Sequence, residues 1–481
     1  MPVSDKPTIF PLGMPVRVDS FKHQKLCEVQ EASHVSEDKI SNLPDCVLHH
    51  ILSFLPTKDT VATSILSTRW KDLWTSVPNI DFDDSLLYSS EVNGGYPLEV
   101  NCFMNFVERV LLLRNCSADV KKFRLSCRVC FDASRIHAWI SAAIKHKVQE
   151  LDLCLFVEKP FTLPHCVFYG ESLTSLKIEM NCVLELSTCI SFPKLKTLYL
   201  ALVTFPDDDS IQKLLSSCQV LQELSILDCE WMNLKSIMVS IPTLKSLTID
   251  DLPFFGSEDE LNGCEIKIDA ASMLFFTYSG YLLNEICLLN LSSLINASIH
   301  VPSLYKGGKD IASRAVKLLR GLNHVKSMRI SNGVIESLFL ADNVLDHLPI
   351  FQKLTYLELS MEIERHIIQK LRDLLHFFPN LESFVFAEGF NPSVCFGEEL
   401  ILKRVPKCVL ASLKSVSIHN FNGNYTELCS LKSLLKNALV LERLNIFCSK
   451  KPSRDVEKQK VVINQLQMSP RVSTSCVIMS F

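Results

Sequence analysis

One cysteine pair has residue types and spacing that could support redox chemistry or zinc binding. Cys127-Arg-Val-Cys130 has the spacing of a redox-active or zinc-binding pair. No second CxxC pair follows it, and His137 and His146 fall at the wrong intervals for a zinc finger. Cys127 also comes directly after a segment predicted to be a strand. A structural role inside the fold is therefore the stronger interpretation of this pair.

Three other motifs contain residues that could bind a metal ion or a phosphate, but their spacing does not fit such a site. His49 and His50 are adjacent, so on a helix they point about 100° apart and cannot form a metal-binding pair. The acidic run 207–209 could suggest a cation site, but a solvated loop that starts a helix is favoured. Residues 306–309 resemble a phosphate loop, yet Pro302 replaces its first glycine. With no nucleophile–base arrangement either, we predict a non-catalytic protein without a metal or cofactor.

Composition bounds the class of protein. The chain has 481 residues, of which 47% are hydrophobic, so it can bury a large core as several domains or one repeat array. Its formal net charge of −4 gives no general attraction to nucleic acid or an anionic membrane, and we expect neither as a partner. The 19 cysteines are scattered and odd in number, which favours reduced thiols. No signal peptide or membrane span is predicted, so we expect the nucleus or cytoplasm rather than secretion.

Most of the chain follows one sequence repeat. An apolar residue, two of any type, an apolar residue, one of any type and a further apolar residue recur thirteen times, from Val120-Phe123-Leu125 to Leu441-Leu444-Ile446. The spacing of 21 to 32 residues is close to that of leucine-rich repeats. Each unit reads as a short strand with a returning segment, and neighbours must stack to bury their apolar faces. We predict an α/β solenoid, a curved parallel sheet with helices or loops on its convex side, least regular between about 255 and 320.

The residue between the last two apolar positions should point onto the concave face. The set is mixed, small and polar, and its three basic members are far apart in the array. A nucleic-acid face would need clustered Lys and Arg. A protein or peptide target is the better prediction, although a small-molecule pocket between repeats stays open. The candidate target-binding residues are Arg124, Lys177, Tyr199, Arg329 and Glu358.

Residues 43–74 form a dense apolar block unlike the repeats. Pro44 suits the first position of a helix, and Pro56 should stop that helix. Thr57 and Ser67 can cap two further short helices, which makes three. Such a unit offers more apolar side chains than it can bury, and exposed apolar surface of this kind marks an interface. The alternative is that the helices cap the end of the solenoid.

The block resembles an F-box of the plant type. The resemblance is carried by Asp38-Lys-Ile-Ser-Asn-Leu-Pro-Asp45, Val47-Leu-His-His-Ile-Leu-Ser-Phe-Leu-Pro56, Ser64-Ile-Leu-Ser-Thr-Arg-Trp-Lys-Asp-Leu-Trp74 and Val77-Pro-Asn-Ile-Asp-Phe82. The C-terminal part is similar to the FBD domain of the same proteins, through Val405-Pro-Lys-Cys408, Leu413-Lys-Ser-Val416, Phe421-Asn-Gly423, Glu427, Leu434-Leu-Lys-Asn-Ala438 and Ser469-Pro-Arg-Val-Ser-Thr-Ser-Cys476. In the family, leucine-rich repeats lie between the two. The resemblance thus implies an F-box at 38–84, repeats at 85–400 and an FBD domain at 401–481. The repeat pattern continues at Leu413 and Leu441, so we expect the FBD domain to be continuous with the solenoid. Residues 1–37 contain several prolines and show no clear period, so we predict a disordered leader there.

The resemblance also implies a role. Such proteins are substrate-receptor subunits of SCF-type (Skp–cullin–F-box) ubiquitin ligases, whose F-box binds a Skp-type adaptor, and through it a cullin, while the repeats recruit a target. A separate enzyme transfers ubiquitin, so this chain would supply proximity. The alternative is a repeat protein that binds a partner or senses a ligand without the ligase. The adaptor-facing residues implied by position are Leu43, Pro44, Val47, Leu48, Ile51, Leu52, Leu55, Ile65, Leu66, Trp70, Leu73 and Trp74.

Overall fold

The structure is a computed structural model of the whole chain. It describes residues 39–86, 96–115, 118–127, 132–157, 159–186, 190–231, 233–252, 263–303, 309–341, 344–390, 405–450 and 456–481. The chain divides into two units, Met1–Leu43 and Pro44–Phe481. In the first unit only a turn is described, in which the Leu43 N–H donates to the Ile40 carbonyl at 3.0 Å. The predicted disordered leader and Cys130 lie outside the described residues.

The second unit is built around a parallel sheet of sixteen strands. Fifteen of them are hydrogen-bonded in chain order, and the two-residue β4 pairs with β5. The strands are β1 Asn79–Asp83, β2 Lys122–Cys127, β3 Glu150–Leu155, β4 Phe161–Thr162, β5 Ser175–Val183, β6 Thr197–Thr204, β7 Glu223–Leu227, β9 Ser246–Asp250, β11 Phe275–Ser279, β13 Asn296–His300, β14 Ser327–Ile330, β15 Tyr356–Leu359, β16 Ser383–Phe386, β17 Ser415–Phe421, β18 Arg443–Cys448 and β19 Val477–Ser480. All thirteen predicted repeat strands are among them, so the predicted α/β solenoid is confirmed.

The register follows the repeat. Phe123 of β2 lies beside Leu151 of β3, which lies beside Leu176 of β5, and the same position is Leu198 in β6. Apolar residues at the same position of successive repeats therefore stack into rows through the core. Every apolar position of the thirteen repeats is buried, while the residues between them are half-buried or exposed. This alternation gives each strand one inward and one outward face, and we call the outward face of the sheet the concave face.

Helices form most of the layer that covers the other side of the core. They are α3 Tyr96–Leu113, α4 Ala133–Lys145, α5 Asp208–Ser217, α6 Lys309–Gly321, α7 Asn332–Leu338, α8 Arg365–Leu375, α9 Lys407–Ala411, α10 Tyr425–Asn437 and α11 Val456–Gln467. Two further helices, α1 Asp45–Leu52 and α2 Thr57–Ala62, belong to the F-box region. Ile211 of α5 and Leu318 of α6 show the pattern, because each buries an apolar face against the strands. Among the described helices, none has the length and apolar character that crossing a membrane requires.

Three returning segments depart from the helices or loops that we predicted for the convex side. They are the strands β8 Ser236–Ser240, β10 Glu265–Asp269 and β12 Glu285–Asn290, which pair in parallel as a second sheet in the order β12–β10–β8. Their apolar residues recur every second position, as in Ile266 and Ile268, and so favour a strand over a helix. Two of these strands lie between 255 and 320, where the repeat pattern is least regular.

The two ends of the large sheet differ. At one end, the Asp81 N–H of β1 donates to the Thr57 hydroxyl at 2.7 Å, and the Asn79 amide donates to the Ser53 carbonyl at 3.0 Å. The F-box region therefore covers an edge strand that would otherwise be open. Towards the other end, β17, β18 and β19 continue the same sheet through the region that resembles the FBD domain. The predicted boundary at residue 400 lies outside the described residues.

Candidate protein-interaction sites

The F-box region contains two short helices and tight turns. Pro44 precedes α1, Asp45 lies in its first turn, and the helix ends at Leu52. The predicted second helix is α2 followed by a 3-10 turn at Thr63–Ile65. The predicted third helix is wrong as a helix, because the chain forms turns and then the 3-10 segment Leu73–Ser76. Thr57, predicted to be a helix cap, instead accepts the Asp81 N–H, so a tertiary contact replaces a local one.

Four of the twelve predicted adaptor-facing residues lie inside the molecule. Leu48 and Leu52 of α1 are 0% and 1% exposed, and Trp70 and Leu73 are also buried. Trp74 is half-buried and packs against the core of the repeat array. Leu48, Leu52, Trp70 and Leu73 therefore lie in the interior, and Trp74 joins the F-box region to the repeats. In this structure they do not present a surface to an adaptor.

Five other large apolar residues of this group are exposed. Val47, Ile51 and Leu55 are 38–42% exposed on or just after α1, and Pro44 is exposed at its start. Ile65 and Leu66, in and after the 3-10 turn, are 85% and 65% exposed. We call Val47, Ile51, Leu55, Ile65, Leu66 and Phe54 the exposed F-box residues. Leaving such a side chain in water forgoes about 1.5–3 kcal/mol of burial, which indicates a surface that a partner covers.

Phe54 belongs to this group although the sequence argument omitted it. It is 75% exposed, and its ring packs edge-on against His50 with centroids 4.9 Å apart. It follows the end of α1, where helical spacing no longer predicts direction. Leu43, the remaining predicted residue, belongs to the first unit and is half-buried.

Arg124 on the concave face is surrounded by carboxylates. Its guanidinium lies 2.8 Å from Asp81, 3.1 Å from Asp83 and 3.8 Å from Asp152 on the flanking strands β1 and β3. Burial raises the pKa of Asp83, but hydrogen bonds from Ser85 and Arg124 outweigh it and lower that pKa overall. Three carboxylates around one cation make this end of the face acidic.

The other predicted target-binding residues are also paired on the face itself. Lys177 lies 3.0 Å from Glu179 and 4.8 Å from the centre of the Tyr199 ring. Arg329 lies 3.2 Å from Glu358 of the neighbouring strand. The structure therefore places the five residues in two groups, separated by roughly 24 Å of sheet at the usual strand spacing. Because each of the three cations has an acidic neighbour, these residues do not form a polyanion-binding surface.

An aromatic ladder at the last strands was missed. His419 of β17 stacks on Phe447 of β18 with ring centroids 4.3 Å apart, and Phe447 stacks on Phe481 at 4.8 Å. Phe481 is 63% exposed. His419 and Phe447 lie two residues beyond the positions that the sequence argument considered, on the same face of their strands. The sequence signal for this ladder was an aromatic residue two positions after Ser417 and two positions after Asn445.

The remaining chemistry-bearing motifs have structural surroundings. Cys127 ends β2 and is buried, and burial raises the pKa of its thiol well above the usual range. Asp207 accepts the Ser210 N–H at 2.7 Å, which confirms the acidic run as a helix start. A possible metal-binding group is formed by Glu265, Glu285 and Cys287, whose carboxylate oxygens and sulfur lie within 4.8 Å of one another. Lys267 and Lys317, however, pair with the two carboxylates. This last group is an ion-pair cluster.

Comparison with known proteins identifies two parts of the chain. The F-box domain family model matches residues 40–82, and the model described as At1g61320/AtMIF1, LRR domain, matches residues 111–474. The chain is similar to the Arabidopsis thaliana F-box/LRR-repeat protein At3g59190, with 32% identity over 73% of this chain and 93% of that protein. At3g59240, named as an F-box/FBD/LRR-repeat protein of the same plant, is 31% identical over 91% of this chain and 88% of its own length. The chain therefore belongs to the plant F-box/LRR-repeat family.

Proposed function

We propose that this F-box protein is the substrate-receptor subunit of an SCF-type ubiquitin ligase. The observation that carries the proposal is the set of exposed F-box residues. Six large apolar side chains stay in water within about twenty residues, although the same region buries Leu48 and Leu52 completely. A Skp-type adaptor would cover them and connect the chain to a cullin.

The adaptor and target surfaces belong to different parts of the second unit. The exposed F-box residues precede β1, whereas the concave face continues through fifteen consecutively paired strands to β19. Fourteen steps of about 4.8 Å give a face of roughly 67 Å measured along the sheet. Such a receptor contributes to ubiquitin transfer by holding the target near the separate enzyme that performs the chemistry. In this proposal the chain is non-catalytic and acts in the nucleus or cytoplasm.

We propose the concave face as the target surface. Its candidate residues are the Arg124 group with its acidic surroundings, Lys177 with Tyr199, and the pair Arg329–Glu358. The mixture of both charges with aromatic rings suits a folded protein or peptide. Charged pairs on such a face contribute more to selecting the partner and to the rate of encounter than to affinity.

Adaptor capture tests the proposal. The full chain carrying Ile51→Asp and Ile65→Asp should lose at least about tenfold in affinity for a Skp-type adaptor, because two charges would enter an apolar interface. Circular dichroism should be unchanged, since both side chains are exposed. Substitution of Leu48 or Trp70 is a poor test because both are buried, and loss of binding would then report unfolding.

A matched control is Phe275→Asp, which changes a residue of β11 that is 49% exposed in the repeat array. This variant should bind the adaptor as the unmodified chain does. If the double variant also binds normally, the ligase proposal fails and a repeat protein that acts without the adaptor becomes the better reading.

A further inference from the structure

A cavity lies behind the C-terminal strands, on the side of the core opposite the concave face. Its volume is about 120 Å³. Ile368 and Leu371 of α8 and Leu431 of α10 form two of its walls. Phe384 of β16 and Val409 of α9 also line it. The cavity therefore lies within the layer between the sheet and the covering helices.

The described helices around the cavity differ in length. α8 has 11 residues and α10 has 13, whereas α9 between them has five. At 1.5 Å per residue, α9 spans roughly 7.5 Å and its neighbours roughly 16 Å and 20 Å. Among the described elements, a short helix between two long ones covers less of the strands behind it.

The lining is apolar with one free polar group. Ser430 of α10 lines the cavity, and its buried hydroxyl has no hydrogen-bond partner among the described residues. Arg372 also lines it, but its guanidinium bonds to Asp373 at 3.1 Å. The Cys408 thiol is neutral, because burial raises its pKa to about 11. A charged ligand therefore has no free counter-charge among these groups, whereas a neutral one can use the serine hydroxyl.

We propose that this cavity binds a small uncharged ring molecule that carries one hydrogen-bonding substituent, the chemical class of phenol. A dry apolar cavity of ~150 Å³ admits benzene, so the volume suits a single six-membered ring. The ring would contact the aromatic and aliphatic walls, and its hydroxyl would pair with Ser430. Val385 and Ser417, which follow the cavity-lining Phe384 and Val416, lie on the opposite face of the sheet, so occupancy would stiffen part of the concave face. The inference does not depend on the ligase proposal.

Calorimetry on the full chain with phenol and toluene as probes tests this site. Phenol should bind saturably and raise the melting temperature, and toluene should bind roughly tenfold more weakly because it leaves the hydroxyl unpaired. Ser430→Ala should weaken phenol to the level of toluene without affecting toluene. Absence of saturable binding by either probe overturns the proposal, as does unchanged phenol affinity in Ser430→Ala.

Filling the cavity gives an independent readout. Val409→Phe should keep the fold and abolish binding of both probes, since the larger ring occupies the space. The matched control is Val316→Phe on α6, a buried valine outside the cavity, where the added atoms should lower the melting temperature. In that control phenol should still bind. Undiminished binding in a folded Val409→Phe overturns the assignment, and if this variant does not fold, the Ser430→Ala comparison decides alone.

Discussion

The F-box region and the repeat array use similar apolar residues in opposite ways. In the array, every apolar repeat position is buried, and even Phe386 is only 9% exposed. In the F-box region, Ile65 is 85% exposed and Phe54 is 75% exposed. A repeat has neighbours on both sides that cover its apolar face, whereas the F-box helices meet the array on one side only. Burial therefore depends on how many neighbours an element has, and the uncovered side becomes available to a partner.

The largest expected effect tests the interior of the array. Phe276 of β11 is 1% exposed, and Phe275 beside it is 49% exposed. Phe276→Ala should lower the free energy of unfolding by roughly 3–5 kcal/mol, because it leaves a cavity between stacked repeats. Phe275→Ala should change it by less than about 0.5 kcal/mol. Urea unfolding measures both, and equal losses would refute the inward and outward assignment.

The same comparison can be made inside the F-box. Leu48→Ala should destabilise this region by roughly 2–5 kcal/mol, because Leu48 is buried. Ile51→Ala, three residues further along α1 and exposed, should leave its stability nearly unchanged. Amide hydrogen exchange of α1 reports the local free energy directly. If Ile51→Ala increases exchange as much as Leu48→Ala does, the exposed stripe belongs to the core after all.

A buried polar network in the array provides a pH-dependent contrast to the apolar rows. The Tyr278 hydroxyl donates to Asp251 at 2.9 Å, and the Asn284 amide donates to its other oxygen at 3.0 Å. The Leu282 N–H in turn donates to the Tyr278 hydroxyl. Burial raises the pKa of Asp251 to about 7 despite the two hydrogen bonds. The network connects the two sheets, because Asp251 follows β9 and Asn284 precedes β12.

The raised pKa sets the sign of the pH effect. The folded chain holds the Asp251 proton more tightly than the unfolded chain, whose carboxyl has its ordinary pKa of 3.8. This contribution is complete below about pH 4 and is lost as the pH rises through about 7, at up to about 1.4 kcal/mol per pH unit. We expect Asp251→Asn to remove this slope, so the difference in unfolding free energy between the two proteins should shift by about 2–3 kcal/mol between pH 5 and pH 7. A difference that does not vary with pH would contradict the assignment.

The smallest expected effect concerns the surface. Arg329 and Glu358 are 3.2 Å apart, with side chains 53% and 20% exposed. Replacing either by Ala should cost at most about 1 kcal/mol, and a double-mutant cycle should give a coupling of roughly 0.2–1 kcal/mol that falls with added salt. A larger, salt-independent coupling would mean that this pair supports the fold and is not available to a target.

Much of the array could be predicted because its signal is local and repeated. Leu198 and Leu200 alternate with Tyr199, and this period of two recurs thirteen times, every 21 to 32 residues. The convex strands could not be predicted in the same way, because a five-residue segment such as β8 carries only two buried residues, Ile237 and Val239, too few to distinguish strand from turn. The prediction of a third F-box helix is wrong because Trp70 and Leu73 reach the interior from turns and a 3-10 segment, and helical spacing between them is not needed for both to be buried.

The sequence by itself determined the family, the order of its parts and the inward-facing apolar residues of thirteen strands, since each follows from residue types in a local, recurring pattern. Only the tertiary structure separated Leu48 from Ile51, because both lie on one apolar stripe and their burial depends on which neighbour covers each side. It likewise placed Arg124 among three carboxylates and stacked His419 on Phe447, since strands far apart in sequence bring these side chains together. Residue spacing fixes the direction of side chains along one helix or strand, whereas contacts between elements decide which neighbours those side chains meet.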